Sequence, residues 1–164
     1  MNPTQTHPAP PRPMHMLLLA LTLGISLPAL AANQAPPIPP QVDTSSLPAI
    51  GKAWDASNPL RGNAAALDIG RSAYNQSCAR CHGPDADGSR APAPDLRRIG
   101  RSCNRVADAA LKQRCTEDAD YYFRQSVLKG KIKLGIEHMP AWEGVLDPQV
   151  LWSIRSYVET AGKR

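Results

Sequence analysis

Between Asn63 and Cys78, Leu67, Gly70, Tyr74 and then Ser77 or Cys78 recur three and four positions apart. At 3.6 residues per turn that spacing gathers them on one side of a helix, and Asn63 suits its N-cap. The C-terminal segment repeats the signal more strongly. Asp147 at an N-cap and Pro148 at the first helical position precede Val150, Leu151, Ile154, Tyr157 and Val158, which form one apolar face. A further helix is predicted to reach Lys129 and stop at Gly130, with Thr116 or Asp118 as its cap and Tyr122, Phe123 and Val127 facing inward. Gly83 to Gly100, carrying Pro84, Pro92 and Pro94, reads as loop. No convincing alternation of period two occurs, so a mostly α fold is expected.

The two ends divide differently. A polar start bearing Arg12 precedes the apolar run Leu17 to Leu30, and Ala29-Leu30-Ala31 is a small-x-small signal. Residues 1–31 are therefore predicted to be a signal peptide cut after Ala31, because the apolar run is short of the roughly 20 residues a span needs. Export to the periplasm follows, with no membrane span in the mature form. Residues 32–63 carry prolines at 36, 37, 39, 40, 48 and 59 and read as an extended arm, with Trp54 as a residue suited to dock it. Residues 64–164 remain as one domain.

Composition adds a shortage. Phe123 is the only phenylalanine and Met139 the only methionine beyond the leader, so a buried cofactor would supply missing apolar volume. The chain has 19 Lys and Arg against 14 Asp and Glu, a mild excess that does not imply nucleic-acid binding.

The strongest local signal is Cys78-Ala79-Arg80-Cys81-His82. Two cysteines at this spacing can form thioethers with the vinyl groups of one haem, and the histidine directly after them can reach its iron. A thioredoxin-like pair normally sits in a βαβ setting, and a zinc site needs more ligands at suitable spacing; neither pattern occurs here. Beyond the leader the histidines are His82 and His138. For the iron's opposite face the candidates are Met139, His138 or an open position. Met139, just before Pro140 in a segment between helices, is the favoured one.

Taken in order, Gly70, Tyr74, the Cys78–His82 motif, Pro94, Met139-Pro140 and Tyr157 resemble a class I cytochrome c across residues 64–160. The resemblance implies an all-α fold around one covalent haem c, bound by Cys78 and Cys81 with His82 and Met139 as axial ligands. It also implies that Gly70 and Tyr74 cross the last helix at Ile154 and Tyr157, and that the carbonyl of Pro94, or of Pro92, accepts the second ring N–H of His82. The expected role is one-electron transfer by a monomer, not enzymatic catalysis. A narrower similarity is to soluble c-550-type cytochromes that take electrons from PQQ-dependent alcohol dehydrogenases, carried by Asn58 to Asn63, Ile69 to Gln76, and the extra Cys103 and Cys115. It implies such a dehydrogenase as donor and a terminal oxidase or another cytochrome as acceptor. A general respiratory shuttle, a haem enzyme or sensor in which Met139 is displaced, and a thiol oxidoreductase are the alternatives.

Cys103 and Cys115 lie outside the haem motif, and in an exported chain such a pair is expected to form a disulfide. Twelve residues of unbroken helix advance roughly 18 Å, whereas bridged Cα atoms lie about 4.4–6.8 Å apart, so the bond excludes continuous helix between them. A short helical turn near Val106 to Leu111 and a return through Lys112 to Arg114 are predicted. Residues 90–133 hold 11 basic and 5 acidic side chains, an excess that is ordinarily a solvated face, with steering of an acidic partner as the alternative.

Overall fold

The computed structural model describes residues 36–51 and 57–161. The predicted signal peptide, its cleavage point and Trp54 lie outside these. Helix α1 (Ala64–Ser77) opens where the Asn63 side chain accepts from the Ala66 N–H, which satisfies one of the donors a helix start leaves without an intrahelical partner. The C-terminal helix, α4 below, spans Pro148–Ala161, and Leu151 N–H donates to the Asp147 carbonyl. α1 and α4 cross at Gly70. A Cβ there would fall on the Ser153 carbonyl, so the two backbones meet at a distance only glycine permits. Tyr74 and Tyr157 flank the crossing with ring centroids 5.6 Å apart and tilted by 54°. Around it Ala73, Leu151, Trp152 and Val158 are buried.

Helix α2 (Ala79–His82) continues directly from α1, and the predicted loop after it holds three single 3-10 turns, Pro84–Ala86, Gly88–Arg90 and Leu96–Arg98. Helix α3 (Ala109–Lys129) ends at Gly130 as expected but starts earlier than Thr116 or Asp118. Its cap is Asp108, whose carboxylate accepts from Leu111 N–H at 2.8 Å. Cys103 lies in a 3-10 turn (Arg101–Arg105) and Cys115 in the second turn of α3, joined by a disulfide with Cα atoms 5.6 Å apart. The required break in the helix comes at Val106 to Asp108, ahead of α3, so residues 112–114 are helical and not a returning strand of chain. Phe123 and Val127 face the core, but Tyr122 is exposed, with the Lys131 ammonium 5.0 Å from its ring centre.

A second departure follows Gly130. β1 (Lys131–Lys133) pairs antiparallel with β2 (Ile136–Met139) through a two-residue turn at Leu134 and Gly135. Both turn residues have positive φ, 51° and 76°, the backbone hand that fits the twist of a tight hairpin.

The described part of the arm packs on the domain. Gln41 N–H donates to the Gln76 side chain at 2.8 Å, and Gln76 donates back to the Gln41 carbonyl. Further along, Gln149 donates to the Pro48 carbonyl, and Leu47 is buried among core residues. Residues 58–61 are held by charge. Asp120, on α3 and wholly buried, accepts from Asn58 N–H, from the Arg61 guanidinium through both carboxylate oxygens, and from Arg155 Nε on α4. This joins the arm's end, α3 and α4 through four charge-assisted hydrogen bonds.

Candidate functional site

The Cys78–His82 motif forms one helical turn. Cys78 N–H donates to the Tyr74 carbonyl, while Cys81 and His82 N–H groups donate to the Cys78 carbonyl at 3.1 and 3.0 Å. Positions i, i+3 and i+4 share a helix face, so two intervening residues suffice to turn both sulfurs and the imidazole the same way. Gly83, at φ 85°, ends the turn; a Cβ there would strike the Asp87 carbonyl. The Tyr74 hydroxyl donates to the Gly83 carbonyl at 3.0 Å, so the α1–α4 crossing also holds the end of the motif.

His82 is buried, and its Nδ1 lies 2.8 Å from the Pro94 carbonyl. A carbonyl oxygen only accepts, so Nδ1 carries the proton and Nε2 keeps its lone pair for a metal. Pro94 is fixed in turn. Ala93 N–H donates to the Cys81 carbonyl, and Asp95 caps the turn after Pro94 while accepting from the Arg97 guanidinium, which also reaches Asp87 at 2.9 Å. The Arg97 hydrogen bonds hold the Asp95 carboxyl below its usual range, and bonds from Arg71 and Asn75 do the same for Asp85. Pro92 makes no described hydrogen bond to His82, so of the two prolines Pro94 occupies the orienting position.

Met139 approaches from the other side of the chain, half-buried at the end of β2. The C-terminus of α3 locates it. The last carbonyls of a helix lack intrahelical donors, and here Val127 and Leu128 accept from Trp142 and Glu143 N–H groups at 3.0 and 3.3 Å. Lys129 pairs with Glu143 at 2.7 Å, and a Cβ on Gly130 would fall on the Met139 carbonyl. His138, the rival donor, is exposed.

Cys78 and Met139 line one narrow cleft, partly open to solvent. Phe123 and Val127 from α3, Trp142 and Leu146 from the segment after Met139, and Leu151 and Ile154 from α4 form its other walls. Cys81 and His82 belong to the adjoining turn and are not on this lining. The donor set fits haem: an apolar seat with sulfur at two walls, and beside it an imidazole whose tautomer is already set for iron. The same residues fit the competing readings poorly. Burial, with Cys81 adding to it, pushes the Cys78 thiol up to about 12, whereas thiol oxidoreductases depend on a lowered value. Among the described residues no group of three or more His, Cys, Asp and Glu gathers to hold a metal ion directly.

Trp142 and Leu146 were not apparent from the sequence as cleft walls. They sit between helices, and neither periodicity nor motif marks them; the tryptophan's bulk beside Met139-Pro140 was the available signal.

Comparison with known proteins agrees with this chemistry. The family described as cytochrome c oxidase, cbb3-type, subunit III matches residues 65–158. Cytochrome c550 of Pseudomonas aeruginosa is 36% identical over 146 residues, covering 87% of this chain and 90% of that protein. No solved structure matches.

Proposed function

Because the chain belongs to the class I c-type cytochromes and carries covalent haem c, electron-transfer chemistry is its work, and we propose that it is a soluble periplasmic carrier between a PQQ-dependent alcohol dehydrogenase and a terminal oxidase or second cytochrome. Cys78 and Cys81 would hold the haem through thioethers, and His82 and Met139 would supply a nitrogen and a sulfur to its iron. Bound there, the haem supplies a one-electron Fe(III)/Fe(II) couple, whose potential thioether ligation raises.

The observation that carries the reading is the 2.8 Å contact of His82 Nδ1 with the Pro94 carbonyl, together with Met139 on the cleft that Cys78 lines. The chain's own residues act by holding still. The Pro94 carbonyl keeps the imidazole in one tautomer and orientation, and the end of α3 keeps the methionine segment in place, so a change of iron charge asks little rearrangement of the protein. Phe123, Val127 and Trp142 give the cleft apolar walls. Support for the donor comes from the resemblance through residues 58–76 and from the second cysteine pair. Arg61 and Asn58, within that stretch, are tied to Asp120, which gives the string a structural reason.

The test is direct. Purified quinoprotein alcohol dehydrogenase, alcohol and the oxidised cytochrome are mixed, and the haem bands followed. Reduction within catalytic turnover time, lost when either alcohol or dehydrogenase is omitted, is expected. Absence of reduction, beside rapid reduction by a quinol-oxidising complex, would make the protein a general respiratory shuttle.

A further inference from the structure

We propose that the β1–β2 hairpin is a docking finger that enters an apolar, carboxylate-ringed depression on the protein that donates electrons; this rests on the electron-transfer reading above. Ile132, Leu134 and Ile136 lie within five residues of one another, 70%, fully and 63% exposed. Single exposed aliphatic residues are ordinary on a protein surface, but three on one hairpin tip are not explained by packing. Leu134 adds a second observation. It stands at φ 51°, a conformation that costs a residue with a Cβ and that glycine or asparagine would adopt more readily, yet its side chain gains no burial in return. The tight turn requires that φ but not that residue, so a leucine there points to a contact outside the chain.

Charge and position say what that contact is. Lys131 and Lys133 both lie on β1 beside the tip, and Lys133 makes no ion pair among the described residues, so this side of the finger attracts an acidic rim. A second copy of this chain would bring the same lysines together. Glu137, opposite Ile132 in the hairpin register, offsets one of the two lysines and leaves the finger with a net positive charge. The finger also continues into the site, since β2 ends at Met139 on the cleft wall and Lys131 is its register partner. A partner that covers the finger therefore sits at the methionine edge. Transient redox encounters bury less than about 1,200 Å², so a small contact suffices.

Leu134→Asn tests this without threatening the fold, because asparagine tolerates the left-handed turn. The haem-reduction rate is measured with limiting dehydrogenase and alcohol across ionic strength, for wild type, Leu134→Asn and Lys131→Glu/Lys133→Glu, and with ascorbate as a small reductant. A roughly tenfold slower reaction with dehydrogenase is expected for Leu134→Asn, and a slower, inversely salt-dependent one for the double variant, with spectra and ascorbate rates unchanged. An unchanged dehydrogenase rate for Leu134→Asn overturns the finger. If wild type is reduced only by a quinol-oxidising complex, the donor assignment fails separately, and the same variants run against that complex decide the finger. Sedimentation with phosphatidylcholine–phosphatidylglycerol vesicles, or a dimer in ultracentrifugation, that Leu134→Asn abolishes while leaving the dehydrogenase rate intact would also overturn it, in favour of lipid or self-association.

Discussion

Exchanging Asp120 for asparagine removes one negative charge from a place where every neighbour donates a hydrogen bond. Its oxygens accept from Asn58 N–H, Arg61 and Arg155, at 2.7–2.9 Å. An amide nitrogen accepts nothing, so the variant keeps the side-chain volume, loses at least one bond, and leaves Arg155, whose side chain is 1% exposed, with its charge poorly compensated. Breaking a buried pair by removing one partner costs about 3–5 kcal/mol. Arg61 contributes little to that figure, because its side chain is one-third exposed and also bonds Glu159 at 2.9 Å. With a urea m-value near about 2 kcal/mol/M, the unfolding midpoint of the holoprotein falls by roughly 1.5–2.5 M, followed by far-UV circular dichroism and the haem band together. Replacing Asp120 and Arg155 jointly by leucine should cost much less than the two single changes summed, since no charge is left buried alone. A loss under about 1 kcal/mol for Asp120→Asn would refute the reasoning and move the neutralising role to Glu159, 4.0 Å from Arg155.

Gly70→Ala places a methyl group on the Ser153 carbonyl and should cost about 3 kcal/mol or prevent folding, read from the same urea titration. Replacing Cys103 and Cys115 by serine opens a loop of 12-residue separation and should lower stability by about 3 kcal/mol while leaving the visible spectrum as it was. Met139→Ala should abolish the sulfur-to-iron charge-transfer band, lower the potential and admit external ligands; survival of the band excludes Met139. Asp85, Asp87 and Asp95 have carboxyls held below 3.8 by hydrogen bonds in the folded loop, so the loop's stabilisation is complete above the ordinary carboxylate range and drains away as pH falls through the depressed values. Acid titration of the haem band should show a transition below about pH 4, and Arg97→Gln should make that loss shallower.

α1 and α4 were legible because each carries a helical apolar period and opens with residues whose chemistry fits a helix start, although α4 is buried on every side from Val150 to Val158. The first turns of α3 were not. Residues 109–114 are exposed and so carry no apolar period; what starts the helix is the Asp108 cap, and the disulfide shows only that a break exists, not where. The hairpin failed for a related reason: its apolar positions alternate over a very short run and none packs inside. The motif Cys78–His82 announced itself locally, whereas the Pro94 contact came through family resemblance, since nothing in an isolated proline marks its carbonyl. Arg155 lay hidden in an apolar helix face, because its partner Asp120 is 35 residues earlier and no local pattern connects them.

The meeting of Gly70 with Ser153 also orders events in time. The first helix cannot find its seat until the last one has been synthesised, so closure depends on a contact between the two ends of the domain, the kind that forms late and slowly. Until then the Tyr74 hydroxyl lacks its finished surroundings, and the two cysteines stand on an open chain within reach of whatever attaches the haem. Once α4 arrives, its Leu151 and Ile154 wall the cleft beside Cys78. A chain order that places the attachment motif near the beginning of the domain and the helix that completes its surroundings at the end leaves the cysteines on open chain while α4 is still to come.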